Sequence, residues 1–115
     1  MSPSSDGPAA GEVEPNPALS LDDTVHQKTR LALLTVLDEA GRADFGYLKR
    51  TLGLTDGNLG RHLDVLATQG YVEITKGYQG RRPRTWASIT EKGERALGDE
   101  MAVLAGILER FRRKR

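Results

Sequence analysis

Four positive side chains, Lys76, Arg81, Arg82 and Arg84, fall within nine residues, with no acid between them. Gly77, Gly80 and Pro83 punctuate the same stretch. Long cationic side chains on a turn can run along a phosphate backbone or reach into a minor groove. Pro83 narrows the conformations of the loop, which lowers the ordering cost of such a contact. A solvated turn is the plainer alternative. Upstream, the run TDGNLGRHLD (55–64) carries Asn58 and Arg61. Arginine can bind guanine O6 and N7 in bidentate fashion, and asparagine pairs with adenine N6 and N7. The only histidines, His26 and His62, are isolated from one another, and there is no cysteine. Thiol nucleophiles, redox pairs, zinc fingers and disulfide frameworks are thereby excluded. No Ser/His/Asp order, glycine-rich phosphate loop or paired-carboxylate motif points to an enzyme or a cofactor site.

Charge along the chain points the same way. The 115 residues carry 17 basic and 16 acidic side chains, a formal +1. Residues 1–23 hold Asp6, Glu12, Glu14, Asp22 and Asp23 and no base, a formal −5, so the remainder is a formal +6. Four of the five prolines also lie in that first stretch. Such a composition buries too little apolar surface to offset ordering entropy, so residues 1–20 are expected to be a disordered acidic tail and 21–115 a net basic domain. A basic domain favours an anionic partner, with nucleic acid the first candidate. There is neither an 18-residue apolar run nor a basic and apolar leader at the N-terminus, so a cytoplasmic protein with no membrane contact is expected.

Periodicity places these residues on four helices and a hairpin. Asp22, Asp23 and Thr24 can each cap a first helix over VHQKTRLALLTVLDEA, with Leu33, Leu34 and Leu37 on one stripe and Gly41 as its stop. Asp44 caps a second helix to Leu52, burying Phe45, Leu48 and Leu52. Thr55 caps a third, in which Leu59, Leu63 and Leu66 recur at helical spacing and Gly70 follows as the end. These leucines turn inward, leaving Asp56, Gly57, Asn58, Gly60, Arg61 and Asp64 outward or on the flanks. Gly57 and Gly60 are costly in a helix, about 0.8–1 kcal/mol each relative to alanine. Either the helix backbone approaches a groove closely or packing tolerates them. YVEITK (71–76) and RTWASIT (84–90) read as strands, and Thr90 caps a fourth helix reaching the C-terminus. In that helix Leu97, Met101, Leu104, Leu108 and Phe111 are spaced 4-3-4-3, an a/d seam.

Two short helices joined by a tight turn, followed by a basic hairpin, suit a helix-turn-helix that places its second helix in a major groove. LTDGNLGRHLDVLATQGYV and KGYQGRRPRTWASITEKG are the most specific segments, and over positions 30–97 the chain resembles winged-helix transcriptional regulators of the MarR/ArsR-like group, helix-turn-helix 34 type. The fold this implies is mainly α with a small β-hairpin: a three-helix core, a two-stranded wing and a long C-terminal dimerisation helix. The resemblance implies base-edge contacts from Asp56, Asn58, Gly60 and Arg61, and backbone contacts from Arg81, Arg82 and Arg84. Thr55 at the helix N-terminus, Lys76 and Tyr78 are further candidates for the backbone. So is His62, whose alternative is a half-buried seam against the wing. His26 either meets Asp22 and Asp23 or is simply solvated; Trp86 is read as an anchor of the wing. Arg110–Arg115 either binds phosphates or partner acids, or is a frayed solvated end. The sensing chemistries of the wider group that rely on cysteine or histidine clusters do not carry over, and no effector is specified.

A dimer is expected independently of the resemblance. A helix from Thr90 to Arg115 is ~38 Å long at ~1.5 Å per residue, longer than one small domain can cover. Pairing about a two-fold axis would bury Leu31, Leu97, Met101, Leu104, Leu108 and Phe111. It would also set two recognition helices about one DNA turn apart, on a palindromic double-stranded site. The function expected is a DNA-binding regulator, a repressor that occludes a promoter. The alternative is a winged-helix module whose basic face binds an acidic protein or RNA.

Overall fold

The computed structural model describes residues 15–115. Lys28–Ala40 form α1, Arg42–Asp44 β1, Phe45–Leu52 α2, Asp56–Thr68 α3, Val72–Gln79 β2, Arg82–Ile89 β3 and Glu91–Arg113 α4. Three of the four expected caps are realised. Asp44 Oδ1 accepts the Tyr47 N–H at 2.8 Å, Thr55 Oγ1 that of Asn58 at 3.1 Å, and Thr90 Oγ1 that of Gly93 at 3.0 Å. Each satisfies a donor that the first helical turn leaves without a backbone partner.

The first helix departs from expectation. Asp22 does act as a cap, its Oδ1 accepting the Thr24 and Val25 N–H groups, but of a separate turn. The helix itself starts five residues beyond Asp23, where Gln27 Oε1 accepts the Arg30 N–H at 2.9 Å. That turn drives Val25 fully into the core, an anchor the sequence pattern did not reveal. Residues 1–14 of the expected tail lie outside the described residues. Order begins before residue 21, because Pro17–Ser20 form a short 3-10 helix against α4.

The core is mainly leucine. Leu33, Leu34 and Leu37 of α1, Leu48 of α2 and Leu59, Leu63 and Leu66 of α3 meet under the sheet, joined by Val72, Ala87 and Leu97. Phe45 and Leu52 pack on its margin, half-buried. The hairpin gains a third strand. β1 pairs antiparallel with β3, Ala43 opposite Ala87, so the sheet order is β1-β3-β2. β2 and β3 run to a two-residue turn, with Gln79 opposite Arg82. Gly80 takes φ +64 there, and among the described residues no non-glycine has positive φ, as the type II′ hairpin pattern requires of Arg81.

The base of the hairpin is closed by α4. The Thr90 N–H donates to Tyr71 O at 3.0 Å, and Thr90 Oγ1 donates to Gly70 O at 2.6 Å. One turn on, a Cβ at Gly93 would stand 2.1 Å from Tyr71 O. Only glycine permits that approach. Gly93→Ala is expected to cost at least the ~1–3 kcal/mol typical of overpacking, read as a lower denaturation midpoint with an unchanged slope. Stability equal to the native chain would show that α4 can shift freely at this point.

Candidate nucleic-acid interface

α2, the turn at Gly53–Leu54 and α3 form the helix-turn-helix, and burying the α3 leucines forces the opposite face outward. Asp56, Gly57, Asn58, Arg61 and Asp64 are exposed and Gly60 half-exposed. Thr55 is exposed at the N-cap. Asp56 pairs with Lys49 of α2 at 2.7 Å, but both groups are solvated, so the contact holds Asp56 only weakly. A Cβ added at Gly57 or Gly60 would meet nothing within 4 Å. Packing inside the chain therefore gives no reason for either glycine.

The wing distributes its charge differently from the linear reading. Opposed residues of antiparallel strands share a face, and neighbours along a strand alternate. Lys76 opposite Thr85 and Tyr78 opposite Pro83 continue the face that carries Ile74 and Ala87, on the helix side. Arg82 opposite Gln79 and Arg84 opposite Gly77 lie on the outer face, and Arg81 stands at the tip. Lys76, Tyr78, Arg81 and Arg82 are exposed. Arg84, half-buried, is also engaged inside the chain. Its Nη1 donates to Asp44 Oδ2 at 3.3 Å, tying the root of the wing to the carboxylate that caps α2. Trp86 anchors the outer face, with Gly77 beneath the indole edge and the Arg42 guanidinium 4.4 Å from the ring centroid.

His62 is brought to the interior instead of to a phosphate. It is only 9% exposed, and its hydrogen-bond partner lies on α1. Arg30 Nη1 lies 3.3 Å from His62 Nδ1. Guanidinium can only donate, so Nδ1 accepts and the ring proton sits on Nε2. Burial, then the charges of Arg30 and Arg61, hold the imidazole pKa below the ordinary 6.5. Leu97 likewise belongs to the core of its own domain, at 6% exposure, and Leu31 packs half-buried on that core. The exposed part of the expected seam is Met101, Leu108 and Phe111, at 40%, 46% and 55%, with Leu104 half-buried.

A polar cluster that sequence reasoning missed ties the segment before α1 to α4. Glu100, 2% exposed, accepts the Asp22 N–H on Oε1 at 3.1 Å, while His26 Nδ1 lies 2.6 Å from Oε2. Tyr71 OH donates to Asp22 Oδ2 at 2.9 Å. Burial raises the Asp22 pKa, but hydrogen bonds from Val25, Tyr71 and Thr24 outweigh it and leave the group below the usual carboxylate value. The Tyr71 phenol is held above 10.0 by burial and by that carboxylate. The His26 imidazole therefore pairs with neither of the carboxylates expected, since its partner lies on α4, and only its backbone N–H reaches Asp22, at the carbonyl, at 2.7 Å. The signal was present in the sequence: Glu100 follows Leu97 by three residues, a carboxylate on the inward side of an amphipathic helix.

The helix-turn-helix and wing together define a winged-helix domain. Residues 29–108 match the winged helix DNA-binding domain family, and the chain belongs to that family. It is 42% identical over 68 residues to an uncharacterized protein of Methanocaldococcus jannaschii, 59% of this chain and 74% of that one. The structure is similar to a transcriptional regulator homologue from Pyrococcus horikoshii OT3, with 26% identity and a TM-score of 0.76 over 82% of this chain and 93% of the other. It is also similar to a chain assigned to the MarR family of transcriptional regulators from Enterococcus faecalis V583, at 27% identity and a TM-score of 0.67, covering 91% and 94%. The resemblance to MarR/ArsR-like winged-helix regulators, and the mainly helical fold with its small sheet, are borne out. Among the described residues, no helix is long and apolar enough to cross a membrane.

The environment of His62 has a consequence for pH. Because its folded pKa is depressed, the unfolded chain takes the proton first on acidification. The stability associated with the neutral ring is complete above 6.5 and is lost as pH falls through the lowered value. Denaturant titrations between about pH 7.5 and 5 should show this decline in the native chain and a flatter profile in His62→Asn. Identical slopes in the two proteins would contradict the assignment.

Proposed function

We propose that the chain is a sequence-specific transcriptional regulator that binds a palindromic DNA site as a homodimer and represses by occluding a promoter. The observation that carries this reading is the outer face of α3. Asn58 and Arg61 offer base-reading groups beside two helical glycines at which an added Cβ would meet none of the described residues within 4 Å. On this reading α3 lies in the major groove, and Gly57 and Gly60 let its backbone approach the base edges. Lys76, Arg81 and Arg82 of the wing contact phosphates. Met101, Leu108 and Phe111, exposed on α4, support pairing of two chains.

Measurements of binding, stability and mass test it. Duplexes selected from a random pool supply the target sequence. Arg61→Ala should then lower discrimination between selected and random DNA by about 1–3 kcal/mol. Replacing Arg81 and Arg82 by alanine should weaken binding to both and reduce the logarithmic salt slope by about 0.9 per side chain. Failure to enrich any sequence, with retained binding to RNA or an acidic protein, would favour an interaction module instead. Gly60→Ala should raise the stability of the free protein by up to about 1 kcal/mol while weakening binding to selected DNA; tighter binding would remove the groove-approach explanation. Light scattering should give the mass of two chains for the native protein and of one for Leu108→Glu with Phe111→Glu.

A further inference from the structure

Arg30 occupies a position that neither the helix-turn-helix nor the wing accounts for. It stands on the first turn of α1, yet its guanidinium bridges two other parts of the chain. Nε donates to Thr24 O at 2.7 Å, and Nη1 donates to His62 Nδ1 at 3.3 Å. His62 belongs to α3 and sits directly beside Arg61, with its own ring buried. A rotation of α3 about its axis would therefore have to break the Arg30 contact. The geometry of Arg30 is set in turn by the segment that precedes it. Thr24 O is fixed because Asp22 Oδ1 accepts the Thr24 and Val25 N–H groups. Asp22 is fixed because its N–H donates to Glu100 of α4, where His26 Nδ1 also lies 2.6 Å from the carboxylate.

These contacts form one continuous chain of hydrogen bonds from the middle of α4 to the middle of α3. Each link is a direct polar contact with at least one half-buried partner, and Glu100 and His62 at the two ends are buried. A buried carboxylate or imidazole cannot exchange such a partner for water without penalty, so the ends are well specified. Burial of Leu59, Leu63 and Leu66 fixes which face of α3 turns inward; the polar chain adds one directional contact on that helix, at His62.

We infer that Arg30 is a positioning residue for the recognition helix, and that residues 22–27, clamped on α4 by Glu100, hold Arg30 in register. Reading of the DNA sequence by α3 thus depends on a contact made by the C-terminal helix. This rests on the base-reading role proposed for Arg61, and the test separates the two.

The full-length chain and the variants Arg61→Ala, Arg30→Met, Glu100→Ala and His26→Ala are each titrated with selected and random duplex at one salt concentration. His26 is 45% exposed at its side chain, so His26→Ala keeps the test available should Glu100→Ala not fold. The histidine side-chain nitrogen spectrum of each free protein gives a readout that needs no DNA. Arg30→Met should reduce the ratio of selected to random affinity about fivefold, the effect of losing one hydrogen bond, with random-DNA affinity unchanged. Glu100→Ala or His26→Ala should act in the same direction and should move the His62 Nδ1 resonance, although neither residue touches His62. His62→Asn, which keeps an acceptor at the Nδ1 position, should retain the discrimination that His62→Leu loses. An unmoved His62 signal in the α4 and segment variants would overturn the link. Native discrimination in Arg30→Met, with discrimination lost in Arg61→Ala, would overturn the positioning role alone. If Arg61→Ala also discriminates normally, base reading by α3 falls and this inference falls with it.

Discussion

The closure of the hairpin base against the start of α4 is the constraint on which the remaining geometry rests. Gly70 and Tyr71 lead into β2, while Thr90 leads out of β3, and three contacts within one helical turn join them. With those ends fixed, the two strands must run outward together, and the wing has no other direction to take. The same junction sets where α4 begins and how it is rotated. From that start Leu97 falls into the leucine core and Glu100 falls beneath the segment that precedes α1. From about residue 101 onward Met101, Leu108 and Phe111 emerge, while Leu104 stays half-buried. A change of a methyl group at Gly93 would therefore be felt in the wing, the core and the exposed seam together.

Helix-turn-helix geometry is a consequence of burial more than of any contact on its outer face. α3 presents three leucines to the core, and helical spacing leaves no choice about which residues then face solvent. Asn58 and Arg61 are exposed because Leu59, Leu63 and Leu66 are not. The glycines add a second element. In a free helix they weaken local structure, and the surrounding fold gives them no compensating contact. On the function proposed, a surface approaching from outside supplies the reason for them.

Much of this was legible in the sequence because it is local. Asp44, Thr55 and Thr90 cap the helices they were expected to cap, since a side chain reaching two or three residues ahead depends on little else. The leucine stripes likewise follow from helical period alone. What escaped is non-local. Strand β1 has only three residues and no alternating pattern, and it exists because the edge of β3 offers partners more than forty residues away. α1 starts at Lys28, and the turn that Asp22 caps ahead of it is bonded to Glu100, 78 residues on. His62 and Arg84 carry the residue types of phosphate contacts, but each faces a charged partner brought from another element. Charge type identified candidates; which of them also bond within the chain depends on the packing of distant segments.

On the function proposed, the alternation of the wing bears on how it would meet DNA. A hairpin with all its cations on one side would lie flat against a single phosphate strand. Here Lys76 projects from one side, Arg82 from the other, and Arg81 from the tip. A blade charged on both sides is best neutralised between two negative walls, so its electrostatics favour edge-on entry into a groove over adhesion to a single ridge. The two-residue turn at Gly80 keeps that blade thin.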